Sequence, residues 1–273
     1  MNRPAEASTA TAGVLGSPGK GGVPWRPGRD ALLRLASLLL FLLLWQLAAT
    51  LAEDPTVPMP SVVFARIGSE IASMALPHHL GVTLYRVAVS FAAAMLIGAA
   101  IGIAMGRWVV LDRFLDGWLV LGLNIPALVT IILCYIWFGL NDWAAILAVA
   151  LNKIPTVVVT VREGARAIDP RLMAVAHAYR LPASRKFLRV YLPQLHPYLF
   201  AAARAGLSLI WKIVLVVELL GRSEGIGFQL NVFFQFFDIA GILAYTLVFA
   251  AVVLLVEALA MRPMERRLNR WRQ

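Results

Sequence analysis

The sequence predicts an all-α, polytopic membrane protein with six transmembrane helices, and three observations carry that expectation. Of its 273 residues 60% are hydrophobic and only 15% charged, with a mean hydropathy of +0.76, too apolar for a soluble domain. The apolar runs are near the roughly 20 residues a spanning helix needs, whereas barrel strands would be about half as long and alternating. The basic residues, finally, collect in alternate connections between those runs, as they do in multi-pass proteins.

Residues 1–28 are rich in Gly, Pro, Ser, Thr and Ala without periodicity, which predicts a flexible tail. Its GSPGKGG fails as a phosphate loop, because the glycine spacing is wrong and Gly21 stands where a hydroxyl is needed. The first span is expected at 31–52, too long a run for an ordinary signal-peptide core. Residues 53–80 read as an external loop with a short surface helix over 62–74. The second span, 82–105, carries Gly98, Gly102 and Gly106 on one helical face, where small residues let backbones approach. Packing within one bundle and a subunit interface both fit that stripe. The third span, 115–138, is interrupted by Asn124 and Pro126, and the fourth, 143–161, contains Asn152, Lys153 and Pro155. The fifth and sixth are expected at 198–220 and 239–261, closing a transmembrane domain over 29–262, with 263–273 a basic C-terminal end.

Lys and Arg number five in 1–34, two in 107–116, seven in 162–189 and five in 262–272, against Arg66, Arg86 and Arg222 alone in the opposite loops. That asymmetry predicts both termini on the cytoplasmic side of a bacterial inner membrane. It also explains the net charge of +10 through the lipid bilayer and topology, without a nucleic-acid partner.

The polar segment within 162–197 is the informative interruption. Asp169 followed by Pro170 is a helix start, since the carboxylate accepts an orphan N–H and proline is tolerated at the first position. Leu172, Val175, Ala176 and Tyr179 fall on one face, and Pro182 makes residue 181 a stop. A second piece over 183–192 carries Arg185, Lys186 and Arg189 and is closed by Pro193. The expectation is a helical elbow with an apolar strip it cannot bury alone. From these residues alone, docking on a partner and lying on its own bundle or on lipid headgroups are equally open.

Here the sequence resembles the inner-membrane permease subunits of binding-protein-dependent ATP-binding-cassette importers. Their cytoplasmic loop reads E-A-A, three residues, G, nine residues, I, one residue, L-P. With Leu192 and Pro193 as the frame, Val190 takes the place of the Ile, Arg180 that of the Gly, and Ala174, Val175 and Ala176 those of E-A-A. The flanks, REGARAIDP and LPQLHPYLFAAARAGLSLIWKIVLVVELLGRSEGIGFQL, are similar to the nitrate, sulfonate and taurine branch, and the likeness covers most of 50–262. The resemblance implies a coupling elbow that docks into a groove on a separate cytoplasmic ATPase dimer, with Leu172, Val175, Ala176 and Tyr179 in the groove and Arg180 and Arg185 at its rim. It further implies a homodimer of the permease, an external solute-binding protein, and ATP and Mg held by the ATPase, with no cofactor on this chain. The solute would be a small anion moved inward by alternating access.

Lys153 and Lys212 fall inside spans, where a lysine costs about 2.5–3.5 kcal/mol on insertion scales and faces a cavity or partner. They are candidates for the substrate path, with ion pairing to Glu218 or Glu257 as the competing explanation. Asn124 and Asn152, each close to a proline, mark kinks that expose polar groups to a path or bond neighbouring helices. Arg204 is expected to snorkel. His78, His79, His177 and His196 form no metal set and read as solvated, Cys134 stands alone, and no nucleophile–base pair is visible, so no catalytic residue is expected. A gradient-driven secondary transporter or channel is the alternative, which internal inverted repeats would favour; none is visible.

Overall fold

The structure, a computed structural model, describes residues 27–261 except Glu53 and Pro55, together with Pro263. The predicted tail before Pro27 and the basic end after Pro263 lie outside the described residues. Among the described residues there is no strand. The chain divides into units 1–47 and 48–273, and helix α1 (Pro27–Ala52) runs from the first into the second.

Helix α2 (Pro60–Ala72) begins on a proline and ends at a tight reversal, where Met74 is left-handed at φ 62°. Helix α3 (Ala75–Arg107) follows at once, seven residues before the predicted span. The sequence ALPHHLG reads as loop, yet Pro77 falls in the first turn, where backbone N–H groups have no helical partner to lose. At about 1.5 Å per residue α3 is about 50 Å long, so it tilts or protrudes from a hydrocarbon layer of about 30 Å.

The third predicted span is not one straight helix. It is α4 (Val109–Asn124) and α5 (Ala127–Phe138), meeting at 97°. Pro126 has no N–H to continue the ladder and drives Ile125 to an extended conformation (φ −70°, ψ 123°), which ends α4.

Helix α6 (Asp142–Arg166) is the central element, packed on α3 and α5; Asn141 caps it by accepting the Ala144 N–H at 2.9 Å. A Cβ at Gly98 would stand 2.7 Å from the Val157 Cβ, one at Gly102 would stand 2.9 Å from the Val158 carbonyl oxygen, and one at Gly106 would overlap Ala165. The glycine stripe is therefore spent on α3–α6 packing inside one chain. The remaining elements are α7 (Pro170–Ala178), α8 (Ala183–Lys186), α9 (Leu192–Gly221), α10 (Ile226–Gln235) and α11 (Ile239–Val256). Helix α9 covers α6 from a second side. One apolar cluster joins Val87, Ile131, Val149 and Val214, and another joins Val157, Val161, Leu195 and Ala202. Among the described residues, five helices are long and apolar enough to cross a bilayer, six if α4 and α5 count as one broken span.

Candidate functional site

The elbow between α6 and α9 is built from local signals. Asp169 Oδ1 accepts the Arg171 N–H at 2.7 Å, and Pro170 occupies the first helical position of α7. The helix closes in a Schellman arrangement, with Leu181 N–H on the Ala176 carbonyl at 3.1 Å and Arg180 N–H on that of His177 at 2.9 Å. That closure puts Arg180 in the left-handed region at φ 50°, the conformation glycine adopts without strain, and Arg180 stands where the importers' loop pattern has its glycine. Gln194 staples the two limbs, accepting the Asp169 N–H at 2.9 Å and donating to the Val190 carbonyl at 2.8 Å. Lys186 Nζ lies 3.0 Å from His177 Nδ1.

Two expectations need correcting. The strip is not uniform: Leu172, Val175 and Tyr179 are 49%, 53% and 79% exposed, but Ala176 is 3% exposed and turned inward. A residue one position beyond Val175 is rotated about 100°, enough to leave the outer face for the inner one. Ala174, Arg180 and Arg185 are exposed, Val190 and Leu192 half-buried. Nor does Pro193 close the second piece. The chain runs from α8 through a five-residue π segment, 187–191, straight into α9, and Leu192 N–H bonds the Phe187 carbonyl five residues back. The wider turn makes room before Pro193, which then sits at the N-terminal turn of α9, where proline is tolerated.

The membrane lysines do not share a site. Lys153 is 1% exposed on α6, with its Cε against Gly206 of α9 and its Nζ without a hydrogen-bond partner among the described residues. Lys212 is exposed and lines a groove between α9 and α11. Neither proposed ion pair to Lys212 forms. Glu218 belongs to Arg86, and Glu257 lies 3.6 Å from Arg204, which is thus paired rather than merely snorkelling. Asn124 bonds the Val120 carbonyl of its own helix at 2.8 Å, and Asn152 is half-buried.

Sequence reasoning missed a polar network at the end of the bundle where α6 begins. Arg86, placed in a loop by the charge count, is a buried residue of α3. It donates to Glu218 Oε1 at 2.8 Å, to the Glu224 carbonyl at 2.7 Å and to Asp142 Oδ1 at 2.7–2.8 Å. Glu218 Oε2 accepts from Thr83 Oγ1 and the Gly227 N–H, both at 2.9 Å. His79 is not simply solvated, since its Nδ1 accepts the Gly225 N–H at 3.0 Å. The signal available was GRSEGIG directly after a membrane glutamate: Gly225, at φ 114°, lies so close to the Glu218 carboxylate that no Cβ would fit. At the opposite, elbow-bearing end, Arg162 and Arg166 of α6 pair with Asp112 of α4, and Arg162 with Asp116 at 2.7 Å.

Residues 94–269 match the family described as "Binding-protein-dependent transport system inner membrane component", and the match takes in the elbow and the helices on either side of it. The chain belongs to this family. Among its relatives, a permease named for aliphatic sulfonate transport, from Bacillus subtilis (strain 168), is 29% identical over 266 residues, 96% of each chain. The taurine transport system permease protein of Escherichia coli (strain K12) is 27% identical over 90% of this chain and 92% of its own. The bicarbonate transport system permease protein of Synechococcus elongatus is 27% identical, covering 85% and 88%. Among solved structures, an amino acid ABC transporter crystallised with histidines superposes with TM-score 0.55 at 17% identity, over 75% of this chain and 95% of that one. An inward-facing methionine ABC transporter gives 0.60 at 16%, over 73% and 97%. These two similarities establish the fold. The protein is thus a multi-pass inner-membrane permease subunit of an ABC importer, and the gradient-driven alternative gives way to family membership.

Proposed function

We propose that this permease pairs with a second copy of itself, receives a small anion such as a sulfonate, taurine or nitrate from an external binding protein, and moves it inward by alternating access. A separate cytoplasmic ATPase dimer, which holds the ATP and magnesium, drives the cycle. The observation that carries the coupling step is the strip Leu172, Val175 and Tyr179, apolar and exposed on an elbow held by an N-cap, a Schellman closure and the Gln194 staple. A rigid apolar surface between two membrane helices transmits a push without melting. Orientation follows from charge: the basic residues of α7, α8 and the π segment, and Arg107 and Arg113, lie at the elbow end, which we assign to the cytoplasm together with both termini. The solute class rests on what the relatives are named for.

The test is uptake into proteoliposomes of a labelled panel of taurine, ethanesulfonate, nitrate and bicarbonate. Accumulation should require the permease, a co-expressed ATPase and solute-binding protein from the same organism, and ATP on the elbow side. Accumulation by the permease alone contradicts the reading.

A further inference from the structure

The groove between α9 and α11 has a volume of about 810 Å³, and Arg204, Ser208, Trp211, Lys212, Phe249 and Glu257 are among its lining residues. Arg204, Ser208 and Lys212 are spaced four apart, so they form a polar ladder up one face of α9, and all three are exposed. The predicted fifth span is centred on residue 209. Lys212 therefore lies only about 4.5 Å along the helix from the middle of the membrane and Arg204 about 7.5 Å, within a hydrocarbon half-thickness of about 15 Å. Arg204 is matched by Glu257 at 3.6 Å, whereas Lys212 has no hydrogen bond or ion pair among the described residues. Covering such a face with lipid is costly, because an ammonium at that depth has neither water nor a counter-charge, whereas a water-filled cavity solvates it. Lys153, sealed between α6 and α9, offers no such surface.

We infer that the Arg204–Ser208–Lys212 ladder lines the water-filled solute path, and that Lys212 is the residue by which the path selects small anions. The inference rests on the importer reading above and adds to it the face and the selecting charge. In the groove Trp211 and Phe249, packed edge to face with ring centroids 5.7 Å apart, supply an apolar wall for the uncharged part of a solute. Arg204 is paired with Glu257, whereas Lys212 is a cation of the ladder with no ion pair among the described residues.

Thiol accessibility tests this in the full-length permease in native membrane vesicles. In a Cys134→Ala background, Ser208→Cys and Leu96→Cys, the latter an exposed apolar position on α3, are each treated with anionic methanethiosulfonate ethylsulfonate and with its cationic trimethylammonium counterpart. Only a thiol in water ionises and reacts readily, so Ser208→Cys should be modified rapidly and Leu96→Cys slowly. The ratio of anionic to cationic rates at Ser208→Cys should fall about tenfold with Lys212→Gln, one helical turn away, and be retained with Lys212→Arg, which also shows that the site tolerates substitution. Slow modification at Ser208→Cys, or a ratio that Lys212→Gln leaves unchanged, overturns the inference. Neither reagent needs ATP, an ATPase or a binding protein, so failure here leaves the importer reading standing.

Discussion

Arg86 of α3 donates to Glu218 of α9 across 2.8 Å, and both side chains are shut off from solvent, at 2% and 0% exposure. A buried pair of this kind is held less by its own attraction than by what its loss would strand. Arg86→Met leaves the Glu218 carboxylate with only Thr83 and the Gly227 N–H, and should destabilise the fold by about 3–5 kcal/mol. Adding Glu218→Gln should recover part of that loss, a non-additivity readable as the midpoint of thermal unfolding in detergent. Strict additivity of the two substitutions contradicts the pairing.

The α3–α6 contact makes a second prediction, since two glycines in neighbouring helices face different surroundings. A side chain at Gly102 meets the Val158 carbonyl oxygen and the Val161 Cβ at 2.9 Å, whereas one at Gly117 of α4 meets nothing within 4 Å. Gly102→Leu should cost at least about 1–3 kcal/mol through overpacking. Gly117→Ala should be neutral or stabilising by up to about 1 kcal/mol, because alanine is the better helix former. Unfolding of the two purified variants separates these outcomes, and equal effects would count against the α3–α6 packing.

Arg180 gives a third. A residue with a Cβ held left-handed loses roughly 1–2 kcal/mol relative to a right-handed conformation, a strain glycine does not bear. Arg180→Gly should therefore slow amide exchange through 170–181 without touching the spans, and Arg180→Val should speed it. Faster exchange with glycine would mean that the arginine side chain, not the backbone, holds the turn.

What was legible in the sequence was what local chemistry decides. Asp169-Pro170 and Leu181-Pro182 mark the ends of α7 because capping and proline stereochemistry need no distant partner, and Pro126 breaks the third span for the same reason. Pro193 misled because proline stops a helix only from its interior, and whether residue 193 is interior depends on the π segment before it. Arg86 and Glu218 are 132 positions apart, so no spacing rule joins them, and the nearer Lys212 was the natural but wrong partner for the glutamate. Of the strip expected on α7, Leu172, Val175 and Tyr179 are exposed and Ala176 is buried, because Ala176 sits at its edge and helical spacing does not say which edge the bundle covers.

That distinction decides how the central claim is tested. Ala176→Asp would disrupt the elbow from inside, so its failure would say nothing about docking. Val175→Asp places the charge on the outer face, where water covers it until a partner arrives, leaving the permease itself intact. The direct measurement is co-purification of the ATPase with the Val175→Asp permease from detergent-solubilised membranes. A desolvated, unpaired carboxylate costs several kcal/mol, which predicts normal amounts of permease in the membrane and at least a hundredfold weaker association with the ATPase. Undiminished co-purification by Val175→Asp, with Leu172→Asp and Tyr179→Asp behaving alike, would mean that this elbow is not the surface through which the importer is driven.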